Sequence, residues 1–473
     1  EFSSLFDQKI PVVIKSTTQR IIDIETENIK DRNRLILHLM WPALCENLLS
    51  TLVSMADTVM VSSLGTSAIN AVGLCTQPRF IVFSAFMALG TGTTALVARA
   101  KGAGNREEAN HALRQSLLMA AGVVLLVCVA MLLWYQPLIR FIAGKNIAED
   151  TIQLAFDYFR VQIYGFPTLG LTYIINAALR GSGNTRAAFY SNGLANVVNV
   201  VFNYLLINGH LGCPALGVEG ASIATVIGQS VAFAICLYWV LDGKNFVSLR
   251  GRGGKCFDMH MIRRISRIGT PALIEQVIMR VGMMLFTLIV TSLGDISYAT
   301  HIIGMNIQSL SFTTGMSFGI AATTLTGQTL GRKRPDLARW YVREAIRMGY
   351  VLSFLVALVL FFFGGKLAGM YSDEAQVLAL AATVLKIIAV ANPLSNTRFV
   401  YNAALRGAGD ARFTAISTFL GIVVIRPLIA FLLVFVIKLD LIGIWIALIS
   451  DALLCYGLAK WRWKSGKWAM IRV

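Results

Sequence analysis

Charge is scarce in this chain. Asp, Glu, Lys and Arg supply 14% of its 473 residues, too few to clothe a soluble protein of this length, while hydrophobic residues supply 56%. Histidine is scarcer, five in all, and no paired metal-ligand motif, His cluster or nucleophile elbow accompanies it. An enzyme, a resident metal and any other cofactor are therefore not expected. The seven cysteines form no CxxC, and most fall inside apolar segments, where Cys acts as a small hydrophobe. Acids are outnumbered 25 to 42 by Lys and Arg, giving a net charge of +17. No cleavable signal peptide is expected, because residues 1–34 carry mixed charges rather than an apolar core. That leader reads as an interfacial amphipathic helix (Ile21, Ile22, Ile24, Ile29) or as disordered sequence.

What is abundant is apolar sequence in long runs, such as Leu117 to Trp134 and Val351 to Phe363 with their flanks. Continuous helix is the economical way for such runs to cross lipid, since unpaired backbone groups there are costly. Windows of about 20 residues give twelve spans. They lie near 35–63, 69–98, 112–136, 152–180, 185–208 and 216–242, then 262–293, 296–330, 340–363, 375–405, 411–437 and 441–463. Basic residues crowd alternate loops: Arg99 to Arg114, Arg180 and Arg186, Lys244 to Arg264, Arg332 to Arg339, Arg406 and Arg412, and Lys460 to Lys467. This is the positive-inside pattern, and it argues against nucleic acid as the reason for the charge. It implies a multi-pass protein of the inner (plasma) membrane with both termini cytoplasmic.

The chain is duplicated. Asn176-Ala-Ala-Leu-Arg-Gly-Ser-Gly183 returns as Asn402-Ala-Ala-Leu-Arg-Gly-Ala-Gly409, an offset of 226. Pro42-Ala43-Leu44 with Glu46 answers Pro271-Ala272-Leu273 with Glu275 at an offset of 229. Six spans per repeat make the halves insert in the same orientation, related by an axis along the membrane normal. The expected fold is an all-α membrane protein of twelve helices in two six-helix lobes. Its divisions are a leader 1–34, an N-terminal lobe 35–242, a linker 243–261, a C-terminal lobe 262–465 and a tail 466–473. Pro167 and Pro393 should kink their spans, whereas Pro42 and Pro271 sit where a helix start tolerates them. The repeated Arg-Gly-x-Gly reads as a glycine helix stop with a cytosolic arginine rather than a phosphate loop.

Polar residues at membrane depth default to functional hypotheses. In the first span Glu46, Ser50, Ser54 and Asp57 share one helical face, and in the fifth Asn192, Asn196, Asn199 and Asn203 do the same. The stripe serves interhelical hydrogen bonding, a hydrated cation pocket with Asp57, or both. Counting residues places Asp57, Asn203 and Thr225 roughly 8–14 Å below the external surface. Oxygen ligands at matching depth suit Na⁺ or a proton relay. The second half breaks the pattern: Phe286, Ile425 and Ile429 replace Asp57, Asn199 and Asn203, and Asp451 replaces Thr225. Asp451 is level with Arg426, and a structural ion pair is expected there. Glu46 and Glu275 persist in both halves, nearer the cytoplasm. Arg79, Arg280 and His301 are further intramembrane candidates. Gln276, Met279 and Met283 on the seventh span are candidate lining of a substrate cavity, although Met is also ordinary packing.

Taken together, several phrases resemble one family. They are Pro42…Asp57-Thr-Val-Met-Val…Leu64-Gly65, the two Ala-Leu-Arg-Gly-x-Gly copies, Gly327-Gln328…Gly331, Asn199-x-x-x-Asn203-Tyr-Leu-Leu-Ile, and Gly217-Val-x-Gly-Ala-x-x-Ala-Thr225. They look like multidrug and toxic compound extrusion (MATE) transporters, over residues 35 to 465. The resemblance implies two lobes around a central cavity and export of amphiphilic, cationic compounds in exchange for H⁺ or Na⁺ by alternating access. By motif, Asp57, Asn199, Asn203 and Thr225 match the family's cation site. One branch has a second aspartate at Asn203, and another has acids where this chain has Met279 and Ser395, so those branch-specific schemes do not carry over. A monomer working on small amphiphilic molecules within the bilayer is expected. The alternative is a flippase for lipid-linked substrates, which would need a basic cavity.

Overall fold

The computed structural model describes residues 28–471 apart from 145–146, 251–256 and 373. Twelve long helices follow one another: α1 (Ile29–Ser62), α2 (Thr66–Gly102), α3 (Arg106–Ala143), α4 (Glu149–Gly181), α5 (Thr185–Ile207) and α6 (Gly217–Leu241) form the first lobe. The second holds α7 (Met259–Thr291), α8 (Asp295–Gly331), α9 (Pro335–Ala368), α10 (Ala375–Gly407), α11 (Ala411–Val436) and α12 (Asp440–Lys464). No strand occurs among the described residues. Nine of the twelve are apolar enough to cross a membrane on composition alone. The exceptions are α4, α5 and α8.

Several boundaries differ from the sequence reading. Helix α1 begins at Ile29, so residues 29–34 belong to the first span, and Pro42 and Pro271 lie well inside their helices rather than at a start. The described tail is not loose: Trp468 is fully buried and stacks on Trp463 at 4.0 Å, while Arg99 donates to the Ile471 carbonyl at 3.0 Å. Residues 1–27 of the leader and 251–256 of the linker lie outside the described residues. Helix α11 is irregular, with wide π turns over Phe419–Ile425 and Leu432–Val436. Pro427 has no N–H to offer Val423, which loosens the first of these turns.

The two lobes meet through α1, α2, α7 and α8, with α2 crossing both α7 and α8 and α1 crossing α8. They exchange ends. Ile36, Leu39, Met40 and Leu44 of α1 are buried in the core built by α8, α9, α10 and α12, while Met261 and Ile265 of α7 enter the core of the first lobe. This happens at one end of the bundle, where the basic loops and both described termini gather; we call it the basic end. Hydrogen bonds hold the same level: Thr324 donates to the Arg180 carbonyl (3.0 Å) and Gln328 to the Gly181 carbonyl (3.0 Å). The Arg264–Glu108 pair (2.8 Å) adds a surface clamp. A second clamp joins His111 to Asp258, the cap of α7, at 2.9 Å; this hydrogen bond holds the Asp258 carboxyl below the usual carboxylate range. A depressed folded value means that this contribution is present above about pH 4 and is lost as acidification protonates Asp258.

Among the described residues, the hydrogen bonds and ion pairs found between lobes lie at or below the level of Asn47, which donates to Ser317 at 3.4 Å. Beyond that level the lobes part. Ser50, Ser54 and Met55 of α1 and Val281 and Met284 of α7 are exposed. The cleft therefore opens away from the basic end.

Glycine makes the seal possible. A Cβ on Gly102 would stand 1.8 Å from the Gln328 carbonyl oxygen, and one on its repeat partner Gly331 would stand 2.1 Å from that of Arg99. Backbone meets backbone here, so neither position has a flexible side chain to yield. We predict that Gly102→Ala forces α2 and α8 apart and costs at least about 1–3 kcal/mol, measured as a lower melting midpoint of purified protein. An unchanged midpoint would mean that these helices do not meet at this glycine.

Candidate ion-coupling site and central cleft

The polar stripe of α1 is zipped to the asparagine stripe of α5. Asn192 donates to Glu46 Oε1 (2.7 Å), Asn196 to Ser50 Oγ (3.3 Å) and Asn203 to Asp57 Oδ1 (2.6 Å). The register is constant, each pair separated by 146 residues, as two straight stripes packed side by side require. Interhelical hydrogen bonding, the structural reading of the stripe, is thus present along its length.

At the far end of the zipper the four residues singled out by motif come together. Asp57 is half-buried, and Asn199 and Asn203 are 7% and 1% exposed. With its amide nitrogen turned to the carboxylate, Asn199 donates to Asp57 Oδ1 (3.1 Å) and Oδ2 (3.2 Å) and its oxygen accepts from the Thr225 N–H (3.2 Å). The Thr225 hydroxyl donates to the Ala221 carbonyl, which leaves its lone pairs free to face a cation. Asn203 Oδ1 is buried and accepts no hydrogen bond. A buried oxygen without a donor is costly, and a hard monovalent cation held by carboxylate, amide and hydroxyl oxygens would satisfy it. The Asp57 carboxylate could hold Na⁺ once the asparagine amide nitrogens that face it here turn aside, or it could carry a proton. Asn196 stands apart from this group, one zipper rung lower with Ser50. Arg79 of α2 completes the surroundings, near enough to Tyr158 and Asp57 to act on both electrostatically.

Glu46 and Glu275 have a different place. Glu46 Oε1 accepts from Arg180 at 2.5 Å, and Glu275 accepts from Arg406 (3.2 Å), Thr414 (3.1 Å) and Thr418 (3.2 Å). The glycines of the repeated phrase do end their helices, but the arginines in the last turn are not solvated cytosolic residues; they are the counter-charges of the repeated glutamates. The rest of the phrase also acquires a role. Thr94 donates to the Ala177 carbonyl and its repeat partner Thr323 to the Ala403 carbonyl (2.9 and 2.8 Å), a close approach that Gly181 and Gly407 permit. One signal was available in the sequence: both members of each pair survive duplication together.

In the second lobe Arg426 grips Asp451 Oδ2 through Nε (2.9 Å) and Nη2 (2.5 Å), the expected pair. Arg398, which the sequence reading missed, lies 4.0 Å from Asp451 Oδ1. Phe286, standing where Asp57 stands in the first lobe, places its ring 5.3 Å from the Arg426 guanidinium. His301 packs between Phe286 and Trp445. The first lobe thus centres on a carboxylate and the second on guanidinium groups.

Gln276, Met279 and Met283 share one face of α7 and are partly buried. Arg280 lies between them along the helix and sets its guanidinium 3.1 Å from the centre of the Phe80 ring on α2, bridging the lobes. Among the described residues no carboxylate is within ion-pair distance of Arg280. It sits where the lobes begin to part, at the floor of the cleft.

Two like-oriented lobes, sealed at one end and open at the other around buried polar centres, define a membrane transporter. The MatE family model matches residues 42–205 and 271–432, one stretch in each repeat, and the chain belongs to that family. A Thermotoga maritima protein named "Probable multidrug resistance protein NorM" is 30% identical over 448 residues, 93% of this chain and 94% of its own. "Probable multidrug resistance protein YoeA" of Bacillus subtilis is 24% identical over 432 residues, 89% and 92% of the two chains. The fold is also that of a multidrug resistance MATE family transporter of the MOP superfamily solved in an outward-facing conformation. The TM-score is 0.85 at 23% identity, over 92% of this chain and 97% of that one.

The ion pairs lend themselves to a direct measurement. Glu46→Gln leaves Arg180 charged and unanswered inside the lobe, an imbalance worth about 3–5 kcal/mol. Its melting midpoint should fall well below wild type, and Glu46→Gln with Arg180→Gln should recover part of the loss. If the double variant melts no higher than the single, the pair is not what holds α1 to α4.

Proposed function

We propose that the chain is a secondary active efflux transporter that exchanges H⁺ or Na⁺ for amphiphilic compounds by alternating access. The observation that carries this reading is Asp57. It is the one carboxylate among Glu46, Asp57, Glu275 and Asp451 without an arginine within ion-pair distance, and it stands beside the orphan oxygen of Asn203. A cation arriving at Asp57, Asn199, Asn203 and Thr225 would neutralise that charge and satisfy the orphan. It would also reset the α1–α5 zipper, so its binding energy differs between arrangements of α1. The transporter acts as a single chain in the inner membrane, because the cleft is complete within one copy. Both termini face the cytoplasm, since the basic loops gather at their end.

A second reading concerns the sign of the substrate. Arg280 and Arg79, each lacking a carboxylate within ion-pair distance among the described residues, favour an anionic headgroup, as a flippase for lipid-linked substrates would require. Asp57 favours the amphiphilic cation that the family resemblance implies. In vesicles loaded with tetraphenylphosphonium, export driven by an imposed ΔpH or ΔNa⁺ supports the first reading. Movement of a phospholipid-linked anion that Arg280→Gln abolishes would support the second.

The coupling role is tested by Asp57→Asn in the same vesicles, with ΔpH and ΔNa⁺ imposed separately. Gradient-driven export should fall at least about tenfold, the scale on which a lost coupling contact of about 1.4 kcal/mol is felt, while insertion and melting midpoint stay close to wild type. Export at the wild-type rate against a gradient would remove Asp57 from the mechanism.

A further inference from the structure

A groove of about 900 Å³ runs along the outer seam between α7 and α11. Its lining changes with height. Arg263, Arg267 and Arg412 stand at the basic end, all exposed, and above them Ile274, Ile278, Phe419 and Leu420 make the walls apolar. Cations at one interface with an apolar slot rising beside them match the two ends of a phospholipid. A soluble anion would have no use for the slot, and an apolar drug none for the arginines.

The duplication supplies an internal comparison. The twin seam, between α1 and α5, keeps basic or titratable residues at the equivalent places: Arg34, His38 and Arg186. There Arg186 Nη2 is already engaged with His38 Nδ1 at 3.2 Å. The twin differs in bulk. Where the groove has Thr270, Ala415 and Ile416, the first lobe has Trp41, Phe189 and Tyr190. Both seams carry charge, and at these three positions the bulk stands in the first, whereas Phe419 and Ile274 of the groove answer Gly193 and Cys45.

We propose that this groove seats one anionic phospholipid of the leaflet at the basic end. Its phosphate lies against Arg263 and Arg412, with Arg267 lining the same mouth, and an acyl chain follows the apolar wall past Pro271. On the inner side of the seam Glu275 accepts from Thr414 and Thr418, tying α7 to α11 one turn above that proline. A lipid on the outer side braces α7 where its backbone lacks a hydrogen bond. Occupancy therefore biases how far α7 bends, which makes the leaflet's anionic content a regulator of the transporter.

The test is native mass spectrometry of delipidated protein titrated with palmitoyl-oleoyl phosphatidylglycerol or phosphatidylcholine. Wild type should retain the anionic lipid at least tenfold better. Thr270→Trp, which copies Trp41 and leaves all three arginines in place, should lose that retention, and so should Arg263→Gln with Arg412→Gln. Arg34→Gln in the twin seam should keep it. Melting midpoints close to wild type identify folded variants; if Thr270→Trp does not fold, the arginine pair carries the test alone. Equal retention of the two lipids, or wild-type retention in the arginine variant, overturns the proposal. Displacement by millimolar inorganic phosphate would also overturn it, by reducing the site to a surface anion contact.

Discussion

A charge that enters a bilayer has to be answered within the protein, and that constraint orders much of this structure. Solvent cannot screen Glu46 or Glu275, so each is met by an arginine and by further donors from a neighbouring helix. The pairs fasten the first helix of each lobe to the fourth and fifth. Because both were kept after duplication, they mark what each lobe needs to be a lobe. Asp57 and the Arg426–Asp451–Arg398 group mark where the lobes were allowed to diverge.

The second constraint is that lipid tails give apolar helices little reason to prefer one another. Contact is won by close approach and by backbone hydrogen bonds. Gly102, Gly331, Gly181 and Gly407 let helices touch at the basic end, and threonines bridge to carbonyls beside them. Such contacts are short-range, so they are complete where the lobes meet and absent a few residues further on. That gives a cleft with a definite floor, at Asn47 and Arg280, rather than a gradual taper.

The fold was legible because hydropathy and repeat offset are properties of the chain itself. Twelve runs and two halves need no knowledge of partners. The grouping of Asp57, Asn199, Asn203 and Thr225 was legible too, since helical spacing fixes faces and residue counting fixes depth. Pairings across helices were not. Arg180 was read as a cytosolic residue because it follows an apolar run and precedes a glycine, and nothing local says that Glu46, 134 residues away, lies against it. Arg398 was missed for the same reason: its partner Asp451 is already claimed by Arg426. Helix starts were misplaced because α1 and α7 continue beyond the apolar window into the opposite lobe, which placed Pro42 and Pro271 at an end instead of inside.

That last error bears on mechanism. Below Pro42, Leu39 and Met40 of α1 are packed into the second lobe; above it, Glu46, Ser50 and Asp57 are zipped to α5 of the first. Leu44 and Asn47, above the proline, also reach the second lobe, and His38, below it, meets Arg186 of the first, so the attachments to the two lobes overlap around Pro42. A helix missing one backbone bond there bends at lower cost than anywhere else along its length. If the lobes turn against each other, α1 must accommodate the difference around this overlap. The proposed cation site lies on the upper segment of that same helix. Changing the charge on Asp57 would alter the hold of α5 on this segment, so an ion bound there and a turn of the lobes would act on the same helix. The second lobe has the matching proline, Pro271, but Phe286 in place of the carboxylate. It has the proline without the ion, and the groove beside it opens to the membrane.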